Sequence, residues 1–386
     1  MVLEKNQRLP RVLQIVDSLD RGSVERWLLR LWRHSREVGR PFDWTFYCTL
    51  PEPGELEEQA LADEARVIRS PVALKNKAAF LTALRGHVRD GKYDVVHSQH
   101  DLLSAFYWAG LAGLPCRRIS HVHNTDEIIP TSSRWKRLVF LEAMRIVCLR
   151  GSHRVLATSS HALDQFLAGR NRDPIKHLVH YCSLDVMKYL RIDAEREVVR
   201  RELGLPVQSE ILLFAGRLID LKNPGFVVDV LKHLLVSRPD AVAVFAGGGP
   251  EADNVRRAAT ILGIADRVRL LGWREDVPRL MRAADLFVNP RRERPREGFG
   301  LVVLEAQAAG LRILISDGIS TEPVLEGSVW RQVPLAAGAR AWADAAAGLL
   351  QIPKLDDNAV REMFAQSLFD LDRAVNDLHT IYDAIL

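Results

Sequence analysis

Arg217 and Lys222 stand five residues apart in Gly216-Arg-Leu-Ile-Asp-Leu-Lys222, directly after the apolar run Glu210–Ala215. Two cations so placed can grip a diphosphate, the arginine as a planar fork and the lysine as a mobile point charge. The same pair also fits a solvated basic loop. Further on, Glu297-Gly298-Phe299-Gly300 leads into a helical pattern beginning at Leu301. Unpaired N–H groups and the positive dipole end make a helix start an anion site. A carboxylate just ahead of that start would repel a phosphate, so Glu297 suits neutral hydroxyls such as those of a sugar. Glu305, eight residues later, can accept both hydrogen bonds of a vicinal diol. Both acids also fit ordinary helix-start and helix-surface positions.

Two more segments sit where strands should end. Gly247-Gly248-Gly249-Pro250 follows one strand and allows a tight turn close to a ligand, although its context is not that of a dinucleotide fingerprint. Leu271-Gly-Trp-Arg274 follows another and offers backbone groups and Arg274 to a nucleobase, or else is a plain turn. Nearer the start, His121 and His123 fall on one face of a strand by the two-residue period. One of them fits a core role and the other a site role.

The elements that position these residues are alternating strands and helices. Strands are expected at Arg11–Val16, Asp43–Cys48, Asp94–His97, Arg118–His123 and Val155–Thr158. The pattern then restarts with Glu210–Ala215, Ala241–Ala246, Val268–Leu271, Leu286–Val288 and Arg312–Ser316. Strands separated by helical segments imply βαβ units and parallel sheets. The expected fold is α/β, with two Rossmann-like halves. The boundary should lie near residues 185–205, in the charged stretch Asp193–Glu202, and the tail from Asp357 to Leu386 should be helical.

A length of 386 residues fits two or three domains. With 47% hydrophobic and 26% charged residues, the chain is neither disordered nor a small disulfide scaffold. Fifty-three Lys and Arg against 49 Asp and Glu leave a net charge of +4, too mild for a nucleic-acid binder. Four dispersed cysteines, with no C-x-x-C, imply free thiols in a reducing cytosol. The polar start lacks the apolar region of a cleaved signal peptide, and no stretch is long and apolar enough to span a membrane.

Together, Gly216–Pro224 (GRLIDLKNP), Ala246–Glu251 (AGGGPE), Leu271–Val277 (LGWREDV) and Glu297–Ala306 (EGFGLVVLEA) resemble the retaining glycosyltransferases of family 4, nearest the exopolysaccharide-type branch. The resemblance is firmest from about residue 210 to 325. It implies a GT-B architecture, with two Rossmann-like domains whose parallel sheets face across a cleft. Residues 1–187 would form the acceptor-side domain, 188–365 the nucleotide-sugar domain, and 366–386 a helix crossing back to the first.

The implied reaction is retaining transfer from a nucleotide diphosphate sugar, UDP favoured, to a saccharide or lipid-linked acceptor in cell-surface polysaccharide synthesis. The catalytic set would be Glu297, His123, Arg217 and Lys222. Donor contacts would come from Gly22, Gly216, Arg217, Lys222, Arg274, Gly298, Phe299, Gly300, Leu301 and Glu305. No metal and no cofactor are expected. Three positions depart from the family pattern: Ser23 replaces a second glycine, Tyr181-Cys182 replaces Asn-Gly, and Arg312 replaces a proline. Arg291-Arg292 likewise stands where Pro-Ser is common. The departures keep two alternatives open, a catalytically degenerate nucleotide-sugar-binding scaffold and a sugar-nucleotide epimerase.

Residues 134–154 carry six Lys or Arg against one Glu, among Trp135, Leu138, Val139, Phe140 and Leu141. This segment fits a helix on an anionic membrane surface. It also fits a helix that packs one face on the sheet and solvates the other, which the wide apolar stripe favours slightly. The expected location is cytoplasmic, with attachment to the inner face of the membrane on the first of these readings.

Overall fold

The computed structural model describes residues 8–123, 134–191, 196–294 and 296–386. The chain divides into two compact units, Met1–Ser183 with Leu371–Leu386, and Leu184–Asp370. The divisions therefore fall at 183/184 and 370/371, against expected boundaries of 187/188 and 365/366. Leu184 N–H donates to the Phe369 carbonyl at 3.1 Å, so the chain enters and leaves the second unit side by side. Within the charged stretch once expected to hold the boundary, residues 192–195 lie outside the described residues, as do residues 1–7 and Asn124.

The first unit holds a seven-stranded parallel sheet. Its strands are β1 (Arg11–Val16), β2 (Asp43–Cys48), β3 (Arg66–Arg69), β4 (Val95–Ser98), β5 (Arg117–Val122), β6 (Arg154–Ala157) and β7 (His177–Val179). The order is β3-β2-β1-β4-β5-β6-β7. The second unit holds β8 (Glu210–Ala215), β9 (Ala241–Ala246), β10 (Val268–Leu270), β11 (Leu286–Asn289), β12 (Arg312–Ile315) and β13 (Trp330–Gln332), in the order β10-β9-β8-β11-β12-β13. Every pairing of named strands is parallel. Parallel sheets carry helices on both faces, which is why the central strands read as unbroken apolar runs. In each unit the strand order reverses beside the first strand, and ligands of such sheets bind at the carboxyl ends there.

The tail helix Leu371–Asp383 belongs to the first unit. It buries Leu371, Val375, Leu378, Ile381 and Tyr382. His34 Nε2 lies 2.5 Å from Asp372 Oδ1, and the His379 ring stacks on Phe42 at 4.4 Å. Each buried side chain of this size contributes about 1.5–3 kcal/mol before entropy is charged.

Two family departures have structural reasons. Arg312 is nearly buried at the start of β12 and donates to the carbonyls of Ile352 and Asp285, at 2.5 and 3.1 Å. A proline there would leave both carbonyls without this donor. Cys182 is buried, and that burial pushes its thiol up to about 12, so it stays protonated.

Candidate active site

The carboxyl ends of β8, β9 and β10 are knitted together by backbone. Gly216 N–H donates to Ala246 O at 3.0 Å, Leu218 N–H to Gly248 O at 2.8 Å, and Gly247 N–H to Gly272 O at 2.8 Å. Gly247 and Gly249 both have φ of +151°, and a Cβ on either would collide with the carbonyl of Gly216 or Leu218. These two glycines thus allow the close approach of neighbouring loops.

On this platform the loop after β8 carries Arg217, which is exposed, and ends in a 3-10 turn, Asp220–Lys222. Lys222 Nζ donates to both oxygens of Glu297, at 2.9 and 2.7 Å. Two of its three N–H bonds are used there. Arg291, just beyond β11, is buried and brings Nε to 3.8 Å from Glu297 Oε2. Burial alone would raise the Glu297 carboxyl, but Lys222, Arg291 and Arg217 outweigh it and hold the pKa below the usual value. Glu297 is therefore an ionised carboxylate in a cationic setting. Such a carboxylate can accept sugar hydroxyls while the surrounding cations face an anion.

Glu297 N–H is fixed by Gly318 O at 3.1 Å. Gly318 has no room for a side chain, since a Cβ would strike the Arg291 and Arg292 carbonyls. Gly300, at φ +86°, is the N-cap of helix Leu301–Ala308. The Gly298–Leu301 segment thus leads into a helix start whose first amides lack carbonyl partners within the helix. Phe299 is buried edge-on to Phe369 at 5.4 Å. Its side chain packs the unit, so any donor contact at this position falls to the backbone. Glu305 is half-buried in the second turn of that helix.

Arg274 follows β10 as expected, but Nε and Nη2 both donate to Asp276, each at 2.7 Å. This bidentate pairing engages one edge of the guanidinium that the sequence reading offered to a base. Trp273 beside it is partly exposed.

In the first unit, β5 sets His121 inside the core and His123 just past the strand end. Their rings stack at 4.5 Å, as their shared face dictates. His123 Nε2 lies 2.8 Å from Gln99 Oε1, and its backbone N–H donates to Asp101 Oδ1 at 2.6 Å. Gln99 Nε2 donates to Gln14 Oε1 at 2.8 Å, and Gln14 Nε2 donates to the Tyr382 hydroxyl at 3.0 Å. With the amides so assigned, Gln99 accepts from Nε2–H of His123 and leaves Nδ1 as an acceptor. Burial, with His100 and His180 nearby, lowers the His123 pKa to about 3, so the ring is neutral.

Gly22 caps helix Ser23–Glu37 in an extended conformation. A Cβ on Gly22 would collide with the Glu25 carboxylate folded back over it. Burial, with Asp17 and Asp20 nearby, raises the Glu25 pKa to about 7. Ser23 opens the helix as an exposed residue.

Sequence reasoning gave no site role to Arg291, Gln99, Gln14 or Tyr382. Arg291 was visible only as an arginine where the family has proline. The Gln99 contact depends on a long-range meeting of β4 and β5, which no local pattern encodes. Among the described residues, no group of three or more His, Cys, Asp or Glu could hold a metal ion.

Comparison with known proteins agrees with this geometry. The profile of glycosyl transferases group 1 matches residues 195–362, and that of the glycosyl transferase 4-like domain matches residues 11–182. EpsF of Bacillus subtilis, named as a glycosyltransferase, is 27% identical and covers 98% of this chain and 97% of its own. A D-inositol 3-phosphate glycosyltransferase of Streptomyces coelicolor is 30% identical over 79% of this chain and 72% of its own. The UDP-Gal:alpha-D-GlcNAc-diphosphoundecaprenol alpha-1,3-galactosyltransferase of Escherichia coli is 28% identical over 72% of each. Among solved structures, Anabaena Alr3699/HepE in complex with UDP superposes with a TM-score of 0.79 at 18% identity, covering 97% of this chain and 100% of that one. Two parallel-sheet units of this kind form a GT-B fold, and the matching profiles and relatives are those of glycosyltransferases. The chain belongs to glycosyltransferase family 4, in its exopolysaccharide-type branch.

Proposed function

We propose that this chain is a retaining glycosyltransferase that moves a sugar from a UDP-sugar to a saccharide or lipid-linked acceptor in cell-surface polysaccharide synthesis. The observation that carries the reading is the ionised Glu297, held by Lys222 and Arg291 ahead of the helix start at Leu301. The bond from the sugar's anomeric carbon to the diphosphate breaks. A bond to the acceptor oxygen forms on the same face, and the departing phosphate takes the acceptor's proton. Arg217, the third N–H of Lys222 and the amides from Gly298 to Leu301 stabilise the leaving charge. Glu297 holds sugar hydroxyls, Glu305 the ribose diol, and His123 a hydroxyl of the transferred sugar. Arg274 serves the base only where Asp276 shares it.

UDP is favoured because the Anabaena structure holds UDP and the Escherichia coli relative is named for a UDP-galactose donor. That relative is also named for a diphosphoundecaprenol acceptor, which supports a lipid-linked one here. The chain would act in the cytoplasm, at the inner face of the membrane. None of its described helices is long and apolar enough to cross one.

The test is a panel of UDP- and GDP-sugars offered with lipid-linked saccharide acceptors, the product's anomeric configuration being read by NMR. Transfer with retention supports the proposal, and an inverted product removes its mechanism. Nucleotide binding with no turnover would return the scaffold reading, and free nucleotide released with no acceptor the epimerase reading. The leaving charge is assigned to protein groups, so EDTA should leave turnover intact; its loss would assign part of that role to a metal.

A further inference from the structure

β5, β6 and β7 are neighbours in the first sheet, and each is entered through two basic residues: Arg117-Arg118, His153-Arg154 and Lys176-His177. All six are half-buried. The ligand crevice of a parallel sheet lies at the carboxyl ends of its strands, where His123 follows β5. The basic rim stands at the opposite, amino ends.

Helices end at this edge, and the negative end of a helix attracts cations. That accounts for two arginines. Arg154 Nη1 donates to His153 O at 3.0 Å and Nη2 to Ala384 O at 3.5 Å. Arg170 Nη1 donates to Leu167 O at 3.1 Å, at the end of helix Ser160–Leu167. It does not account for Arg117, Arg118 and Lys176, whose side-chain cations meet no hydrogen-bond or ion-pair partner among the described residues. Arg118 Nε is moreover buried, where an N–H without an acceptor costs free energy. The acids beside the rim are engaged with their own loops. Asp94 holds Arg8 and the Arg11 N–H, and Asp173 accepts the N–H groups of Ile175 and Lys176.

The two histidines add donors of fixed sense. Arg118 N–H donates to His153 Nδ1 at 3.0 Å, and Asp173 N–H donates to His177 Nδ1 at 3.0 Å. A ring nitrogen that accepts carries no proton, so each neutral ring has its proton on Nε2. Burial, then Arg118, Arg117, Lys176 and Arg154, lower the His153 pKa, so that ring stays neutral amid the cations that crowd it. Ile119 pairs with Arg154 and Val155 with His177, which sets Arg118, His153 and His177 on one face of the sheet. Arg117 and Lys176 alternate to the other face at the same open edge.

A set of donors around three uncommitted cations calls for a compact anion. A phosphate group carries between one and two negative charges at neutral pH and an acceptor on each free oxygen. Its edge matches the arginine fork, and lysine meets it as a point charge. A carboxylate brings a single charge. A nucleic acid needs a long basic track, whereas three strand starts span only about 10 Å.

We propose that the amino ends of β5, β6 and β7 form a binding site for one phosphate group, free or borne by a small phosphomonoester, with Arg118 and the Nε2–H of His153 at its centre and His177 and Lys176 beside them. The site goes beyond the glycosyl-transfer reading and does not depend on it.

The experiment titrates inorganic phosphate into the full chain carrying Arg217→Ala and Lys222→Ala, which removes the diphosphate-side cations of the second unit. Ionic strength is held constant with chloride, and histidine ring nitrogens are followed by long-range NMR. The Nε2 signals of His153 and His177 should shift and saturate, while those of His123 stay in place. The dissociation constant should weaken at least about tenfold with Arg118→Gln added, and about threefold or more with Lys176→Gln. Glucose 6-phosphate, titrated in the same way, separates the two sources: tighter binding than phosphate assigns the site to a phosphomonoester, and weaker binding to the free anion. The first titration needs no substitution at the rim, so a rim variant that fails to fold does not decide the outcome. No saturable shift at His153 up to about 10 mM phosphate would overturn the proposal. So would a shift that chloride alone reproduces, or one that Arg118→Gln leaves unchanged. UDP binding and sugar transfer by the wild type are read separately, so failure here leaves the enzymatic reading standing.

Discussion

Lys222 Nζ holds both carboxylate oxygens of Glu297, across 75 residues of sequence. The pair joins the loop after β8 to the segment before helix Leu301–Ala308, so the cation and the acid position each other. Lys222→Met should cost turnover on the order of 100- to 1,000-fold. The pH profile gives the sharper signature. The Glu297 pKa is depressed below 4.5, so the ion pair's stabilisation is complete above that value and is lost as pH falls through the folded pKa. Without Lys222, burial acts with less opposition and the carboxyl titrates higher. The acid limb of kcat/KM should therefore move to higher pH in Lys222→Met, and an unmoved limb would disconnect the pair from catalysis.

Arg291 and Arg292 are adjacent but differ in weight. Arg291 is buried beside Glu297, whereas Arg292 makes a surface pair with Asp220, its Nη2 2.7 Å from Oδ1. Surface pairs contribute roughly 0–1 kcal/mol, and a buried cation facing an active carboxylate contributes more. Arg291→Ala should lower kcat by about tenfold or more and raise the pKa of Glu297, while Arg292→Ser should leave both within about twofold. Equal losses in the two variants, measured as kcat/KM, would contradict the assignment of Arg291 to the site.

The interior of both sheets and one edge strand, β10, were legible in the sequence, and the other three edges were not. β1, β2, β8 and β9 lie where the apolar runs put them, residue for residue. β3, β7 and β13 had no signal, and all three are edge strands. An edge strand pairs on one side only and is half-solvated here, so its sequence (RVIR, HLV or WRQ) need not be an apolar run. The site divides in the same way. Glu297 and Lys222 stand out through residue type and loop position. Gln14, Gln99 and Tyr382 are brought together by strand pairing and by the tail helix, and a polar residue in a strand carries no mark of its partner. At Phe299 the motif does not say which part of the residue serves which purpose: the ring packs on Phe369 and only the backbone is left for a donor.

His97, His121 and His123 stack in the first unit, with the His97 and His121 rings 5.3 Å apart, and His180 lies tilted against His121 at 5.7 Å. Burial lowers the pKa of all four, and those of His97 and His121 fall well below 6.5. The folded state therefore prefers the neutral rings. Stability is whole above about pH 6.5 and declines as the unfolded chain takes up protons below it, by about 1.4 kcal/mol per pH unit for each ring still neutral in the fold. Urea midpoints measured between pH 7.5 and 5 should fall steeply. His121→Phe should reduce that slope by about one proton, whatever it does to stability at neutral pH. A slope equal to the wild type's would show that His121 is not held neutral.

Gln99 stands between His123 and the tail helix. Removing its acceptor in Gln99→Leu should free Nε2 of His123 and mix the ring's two tautomers, which long-range nitrogen NMR resolves. If His123 orients a sugar hydroxyl, kcat should fall by about tenfold with donor KM within about threefold. Gln99→Glu keeps an acceptor at Nε2 and should restore the single tautomer. Its carboxylate should also raise the His123 pKa from about 3. A tautomer unchanged in Gln99→Leu would mean that the glutamine does not position the ring.

The three consecutive glycines after β9 offer a comparison within one turn. Gly247 and Gly249 sit at φ +151° against the carbonyls of Gly216 and Leu218, whereas a Cβ on Gly248 meets nothing within 4 Å. Alanine at 247 or 249 must strain its own backbone and push a neighbouring loop away, at a cost of roughly 2 kcal/mol or more for each site. Gly248→Ala should cost less than about 0.5 kcal/mol, since it needs neither change. The displaced loop at Gly216 also carries Arg217, so Gly247→Ala should lose donor affinity along with stability, and Gly248→Ala should lose neither. Thermal melts with and without UDP separate the two effects. A destabilised Gly248→Ala, or a Gly247→Ala that melts and binds UDP like the wild type, would show that the turn does not hold the loop as its geometry requires.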